Sequence, residues 1–204
     1  MEEIYVTYIP KLNDSDGLLS FYGININSRE KLENINSSAK DMLKGFLKGP
    51  KGGNLVPGET VLVYLIEKWH RGKIIACPSN YDCTVKFIDY GNEETVPLDS
   101  VISASSLDAA TVPQFISCVS NPPLAVKYLM PVPLPSEHLS ESHHTKLVTR
   151  LQDKVFSISK IAKVNGIDLV TIADKYGYLT MFDLVPGDLD TLNTGGDQVS
   201  YYLF

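Results

Sequence analysis

Residues 85–94 read Val-Lys-Phe-Ile-Asp-Tyr-Gly-Asn-Glu-Glu. A β-branched and aromatic run that breaks at Gly91-Asn92 is a strand entering a tight turn. Around it, residues 60–65, 73–77, 84–89 and 94–97 read as further short strands, with turn residues at Pro78-Ser79-Asn80 and Gly91-Asn92. Strands this short and this closely spaced point to a small, strongly bent antiparallel barrel. The stretch also sets out a chemistry. Phe87 and Tyr90 offer π-faces, Asp89, Glu93 and Glu94 negative charge, and Asn92 an amide. That set suits a cation that is also partly apolar. Hydrolysis needs a nucleophile, a base or a metal, so the chain reads as a binder and no enzymatic activity is expected.

The flanks read differently. Ile4-Tyr5-Val6-Thr7-Tyr8-Ile9 and residues 18–26, separated by the turn Asn13-Asp14-Ser15-Asp16-Gly17, form an opening hairpin. Ala39, Met42, Leu43, Phe46 and Leu47 then follow helical spacing, with Ser37 or Ser38 as N-cap and Gly49-Pro50-Lys51-Gly52-Gly53 as the stop. After the barrel comes a segment with Pro113, Pro122, Pro123, Pro131, Pro133 and Pro135, which predicts neither continuous helix nor central strand. Residues 136–153 are a second helix, with Leu139, His143, Leu147 and Leu151 at steps of four. Residues 155–164, 168–173 and 178–184 are closing strands, and the polar, Gly-rich end up to Tyr201-Tyr202 predicts a poorly ordered tail. A lone hairpin cannot bury a core. The economical solution pairs the opening and closing strands in one β-domain, with the central barrel inserted into it. The fold class expected is α+β, mainly β.

Composition narrows the partner. The formal net charge of −6 repels phosphate overall, which argues against nucleic acid and favours a basic peptide. Lys40, Lys44, Lys48 and Lys51 are the best local basic cluster. No apolar run approaches a membrane span and no signal-peptide pattern opens the sequence. Cys77, Cys83 and Cys118 show no metal-ligand spacing and read as reduced thiols of a cytosolic or nuclear protein. His138, His143 and His144 near Glu137 and Glu141 are better read as a solvated polar face than as a metal site, so no cofactor is expected. From the abrupt beginning and end, a piece of a larger protein is expected.

Four stretches carry a family resemblance: Pro57-Gly58-Glu59-Thr60-Val61-Leu62-Val63-Tyr64; Trp69-His70-Arg71-Gly72-Lys73-Ile74; Phe87-Ile88-Asp89-Tyr90-Gly91-Asn92; and Val112-Pro113-Gln114-Phe115-Ile116-Ser117-Cys118. With weaker support from Val170-Thr171-Ile172-Ala173-Asp174, the chain resembles the extended Tudor domain, a Tudor barrel inserted in a split, staphylococcal-nuclease-like OB fold and joined to it by a linker helix. The resemblance implies residues 1–53 as the first half of the split domain plus linker helix, 54–122 as the Tudor barrel, 123–190 as the second half and 191–204 as tail. It also implies a ligand: dimethylarginine in Arg-Gly or Arg-Ala peptides, usually from the N-terminal tail of a PIWI-type Argonaute. The setting it implies is piRNA silencing in cytoplasmic, perinuclear germ granules (nuage).

Carried onto this sequence, Tyr64, Phe87 and Tyr90 fall on aromatic cage walls and Asn92 on the amide that bonds the guanidinium. Asp89 and Glu94 set the local field or brace the turn. Phe87 is also open to a core role, and Asp89 to capping the turn. His70 stands where the family has Tyr or Phe. Imidazole is a poorer wall, and protonated it would repel a cation, so the cage expected is three-walled, and a methylation-independent peptide groove stays open as the alternative. Trp69 points to the other face of the strand and into the core. Nuclease chemistry would need carboxylates on a metal and arginines on phosphate. The arginines are Arg29, Arg71 and Arg150, and no such set is evident.

Overall fold

The computed structural model describes residues 2–11, 18–44, 55–131 and 141–179. Two sheets hold both ends of the described chain and its middle apart. The first joins β1 (Glu2–Tyr8) and β2 (Leu18–Asn25) to β8 (Val126–Pro131), β9 (Val155–Val164), β10 (Ile167–Asp174) and β11 (Gly177–Tyr178). Its order is β11-β10-β8-β2-β1-β9, and β10 also pairs with β9, so the sheet closes on itself as a barrel. The closure is antiparallel except between β8 and β10. Alternation puts Ile4, Val6, Leu19 and Phe21 inside, where Phe21 stacks on Tyr128 with ring centroids 5.6 Å apart. Leu147 and Leu151 of α3 (Glu141–Leu151) pack against the same core.

The second sheet is made of β3 (Thr60–Leu65), β4 (Lys68–Ala76), β5 (Asp82–Phe87), β6 (Glu93–Pro97) and β7 (Val101–Ile102), in the order β6-β5-β4-β3-β7. Both faces are covered. Val61, Val63, Ile74, Val85, Phe87 and Val96 form one core. Leu62, Trp69 and Ile102 turn the other way and meet Ile35, Ala39 and Leu43 from α1 (Arg29–Met42) and its end, and Phe115 and Cys118 of α2 (Val112–Val119). Trp69 is thus a core residue, as its strand parity predicts. The helix α1 follows β2 after one 3-10 turn (Ile26–Ser28) and leads to the second sheet, the place expected for a linker helix.

Some elements differ from the sequence reading. The helix α1 starts at Arg29, so Ser37 and Ser38 lie inside it and do not cap it. Its buried residues Leu32, Ile35 and Ala39 continue the apolar stripe backwards through a strongly polar first half. The Pro-rich segment contains a helix and an interior strand. In α2, Pro113 sits in the first turn, where a missing N–H costs nothing. The strand β8 runs from Val126 to Pro131, and the other five positions carry no proline, so it joins the middle of the sheet. The turn at 13–17, Phe46, Leu47, the loop at 49–53, residues 136–140, 180–184 and the tail at 191–204 lie outside the described residues.

Candidate functional site

The turn after β5 is closed by its own backbone. Phe87 O accepts from Tyr90 N at 3.1 Å and Gly91 N at 2.7 Å, and Phe87 N donates to Asn92 O at 2.9 Å. Gly91 adopts φ +97°, and a Cβ there would come within 2.2 Å of the Tyr22 ring, so only glycine fits. The first sheet therefore packs directly on this turn. Thr7 Oγ1 of β1 adds a hydrogen bond to Tyr90 O at 2.7 Å.

Asp89 faces inward. It is 0% exposed and takes a two-pronged bond from Arg71, with Nε on Oδ2 at 2.8 Å and Nη2 on Oδ1 at 2.6 Å. Leu124 N also donates to Oδ1, and the remaining Arg71 donors reach the Asn121 and Pro122 carbonyls. Of the two roles expected for Asp89, this geometry is that of the brace. It ties the turn to β4 and to the segment that leads to β8.

Phe87, Tyr90 and Asn92 of the turn line an open cleft of about 490 Å³. His70 meets Phe87 edge-on at 5.8 Å and Tyr90 at 5.3 Å between ring centroids. Phe87 is 2% exposed, so it serves the core and the cleft floor together. Asn92 Nδ2 donates to Glu94 Oε1 at 2.6 Å, which fixes the amide and leaves its oxygen, an acceptor, for an incoming N–H donor. Glu93 lies at the rim and is paired with Lys86 at 3.2 Å. Leu65 and Ile66 from the tip of the β3–β4 hairpin, Thr7 and Tyr8 from β1, and Gln152 complete the lining.

Burial, the largest influence, holds the His70 imidazole below its ordinary pKa, against a bond to the Leu65 carbonyl that raises it. At neutral pH the ring is therefore uncharged, and Nε2 donates its proton to Leu65 O across 3.2 Å. The repulsion feared from a protonated His70 is absent near pH 7. Burial pushes the Tyr90 phenol up, offset in part by a hydrogen bond with Asn36 of α1.

Tyr64 corrects the sequence reading. It is not brought to this cluster. It pairs in register with Trp69, packs on it at 5.1 Å, and lies on the α1 side of the sheet in a groove with Lys40 and Lys68. The physical reason is strand parity: Val63 pairs with His70, so Val63 and Leu65 share the cleft's face and Tyr64 cannot. Sequence reasoning also missed Arg71 as the partner of Asp89, and Thr7, Tyr8 and Gln152, which come from distant parts of the chain. Arg71 carried a signal, since a basic residue inside a β-branched strand is rarely buried without an acid to meet it.

The remaining candidates serve elsewhere. His144 Nε2 lies 3.3 Å and 3.1 Å from the carbonyls of Ile9 and Pro10, a bond between α3 and the end of β1. Among the described residues no group of His, Cys, Asp and Glu is placed to hold a metal ion, and no helix is long and apolar enough to cross a membrane. Lys44 is paired with Asp41 at 2.8 Å. Lys48, Lys51, Glu137 and His138 lie outside the described residues.

A closed barrel of strands from both ends of the chain, carrying an inserted five-stranded sheet with a braced aromatic turn, defines a class. A family model of the Tudor domain matches residues 4–120, more than half of the chain, and the chain belongs to that family. No curated protein matches it significantly in sequence. Solved structures show the wider fold. The extended Tudor domain of Drosophila melanogaster Tudor-SN is similar at TM-score 0.67, with 22% identity, over 88% of this chain and 78% of that one. The human TDRD1 extended Tudor domain gives TM-score 0.68 and 17% identity over 94% and 87%. The mouse TDRD1 extended Tudor domain TD3 gives 0.62 and 15% over 90% and 87%. The fold is that of an extended Tudor domain.

Proposed function

We propose that the chain is a protein-interaction module that takes a dimethylated arginine of a peptide into the cleft formed by His70, Phe87, Tyr90 and Asn92. The observation that carries this reading is the convergence of three uncharged rings at 5.3 and 5.8 Å under a rim of carboxylates. A methylated guanidinium stays planar and charged, loses N–H donors and gains apolar methyls. Ring faces take its methyls and charge, and the Asn92 oxygen takes a remaining N–H. Glu94, exposed and bonded to Asn92, supplies the field that Asp89, spent on Arg71, does not.

Solved neighbours support the ligand class. The human TDRD1 domain was solved in complex with a symmetrically dimethylated E2F peptide, the mouse TDRD1 domain with a MILI peptide containing dimethylarginine, and Tudor with Aubergine dimethylated at R13. The partner we assign is the arginine-rich N-terminal tail of a PIWI-type Argonaute, with the module acting as a scaffold in piRNA silencing within cytoplasmic germ granules. The domain division carried by the resemblance, with a barrel at 54–122 between the halves 1–53 and 123–190, belongs to the same proposal. Titrating the chain with matched unmodified, asymmetrically and symmetrically dimethylated arginine peptides tests it: the symmetric form is expected to bind most tightly, and equal affinity for all three would count against it.

A second reading follows from one observation. With Tyr64 on the other face and an imidazole as one wall, only two benzenoid rings of the cleft, Phe87 and Tyr90, meet that imidazole, Tyr8 being a further ring of the lining. A peptide bound mainly along the groove between the sheets, indifferent to methylation, fits that poorer cage, and the same titration separates the two readings.

A further inference from the structure

The hairpin between β3 and β4 turns through Ile66 and Glu67, with φ +48° and +61°, between the paired residues Leu65 and Lys68. Two consecutive left-handed residues make the turn that Asn-Gly or Asp-Gly form most readily. Isoleucine is among the worst choices there, because its branched Cβ collides with the backbone in that conformation. Nor does the core call for it: Ile66 is 84% exposed and joins no hydrophobic cluster. A strained backbone and a solvated apolar side chain are two costs without a return inside the molecule. Both fall on one residue, and that residue lines the aromatic cleft.

Depth within the cleft says what Ile66 touches. Phe87 at the floor is 2% exposed and Ile66 is 84% exposed, so the hairpin tip is the mouth. A guanidinium head drawn to the rings and to Asn92 leaves its uncharged methylene stem at the level of the tip. We infer that Ile66 is a specificity-determining contact, folded over the aliphatic stem of the bound arginine and over the peptide backbone beside it. This rests on the reading of the cleft as an arginine site. The contact selects for a long aliphatic stem beneath a cation and is indifferent to methylation, which the rings read deeper in the cleft.

The test uses the native chain, Ile66→Asn and Ile66→Leu. The probes are a fluorescein-labelled, glycine-flanked peptide with symmetric dimethylarginine and its unmodified-arginine counterpart, followed by anisotropy, with a thermal melt of each protein. Asparagine tolerates the left-handed turn, so Ile66→Asn is expected to melt about 2–4 °C higher. It removes an apolar contact, so both peptides should bind about fivefold more weakly, by the same factor. Leucine keeps the apolar volume and should bind within about twofold of native. Native-like binding of both peptides by Ile66→Asn, or a lower melting temperature, would overturn the inference while leaving the arginine site standing. A loss confined to the dimethylated peptide would overturn the assignment to the stem. If the native chain binds neither peptide, the reading of the cleft falls and this inference with it.

Discussion

The guanidinium of Arg71 meets both carboxylate oxygens of Asp89, at 2.8 and 2.6 Å, with neither side chain more than 1% exposed. Every polar atom of the pair that could be left unsatisfied has a partner, including the Asn121 and Pro122 carbonyls and Leu124 N. A buried pair of this kind adds little over an apolar filling, but breaking it strands a charge in a dry interior. Asp89→Asn or Asp89→Ala is therefore expected to cost about 3–5 kcal/mol in a denaturant melt. The double substitution Arg71→Met with Asp89→Leu should recover much of that loss. A stable, native-like Asp89→Ala would show that the pair does not brace the turn.

Gly91 makes the second tie. Any Cβ there would meet the Tyr22 ring at 2.2 Å, and the backbone is already at φ +97°. Gly91→Ala should cost about 2 kcal/mol or more and weaken peptide binding, because the turn must shift away from β2. Gly166, also left-handed at φ +82° but with nothing within 4 Å of a Cβ, separates the two causes. Gly166→Ala carries the backbone strain alone and should be the milder of the two, with binding unchanged.

Strands were legible where a β-branched run is bounded by turn residues. The segment read as 60–65 coincides with β3, and 155–164 with β9. The helix α1 was half hidden because Glu30, Lys31, Glu33, Asn34 and Asn36 dilute its apolar stripe, and the Ser37-Ser38 pair imitates a cap. Proline misled in the opposite direction: Pro113 starts a helix, and Pro123 and Pro131 bracket a strand. At the site, His70, Phe87, Tyr90 and Asn92 come together as one contiguous motif and its neighbouring strand would suggest. Tyr64 does not, although pairing Leu65 with Lys68 across a two-residue turn already places it beside Trp69. Thr7, Tyr8 and Gln152 were out of reach, since only the closure of the first barrel carries them to the cleft.

The position of Tyr64 separates binding from folding. Tyr90→Ala and Asn92→Ala each remove a cleft-lining group and should weaken dimethylarginine peptide binding by ~2 kcal/mol, about thirtyfold. Tyr64→Ala loses its packing on Trp69, a stability cost of about 1–2 kcal/mol, and should leave peptide affinity within about twofold. Isothermal titration of the three folded variants checks this. A thirtyfold loss in Tyr64→Ala would return Tyr64 to the cage.

His70 should leave a signature in pH. Its imidazole titrates below the ordinary value, mainly because burial penalises the charged ring, with Lys68 adding to the shift and Asp89 and Glu94 opposing it. Above the unfolded value of about 6.5 the ring is neutral in both states and its contribution to stability is whole. Between that value and the lower native one, the unfolded chain binds a proton that the folded chain refuses, so stability falls as pH falls. Below the native value the loss is complete. Urea melts from pH 7.5 to 5 should show this slope in the native chain, and His70→Tyr should lack that part of it, the remaining histidines being common to both. Peptide affinity should hold steady down through pH 6.5 and weaken only at lower pH, where the native ring takes its proton and repels the guanidinium. Because tyrosine restores a full aromatic wall, His70→Tyr should also tighten dimethylarginine more than plain arginine. Identical melts and identical methyl discrimination in the two proteins would remove His70 from the cage and leave the methylation-independent groove as the better account of binding.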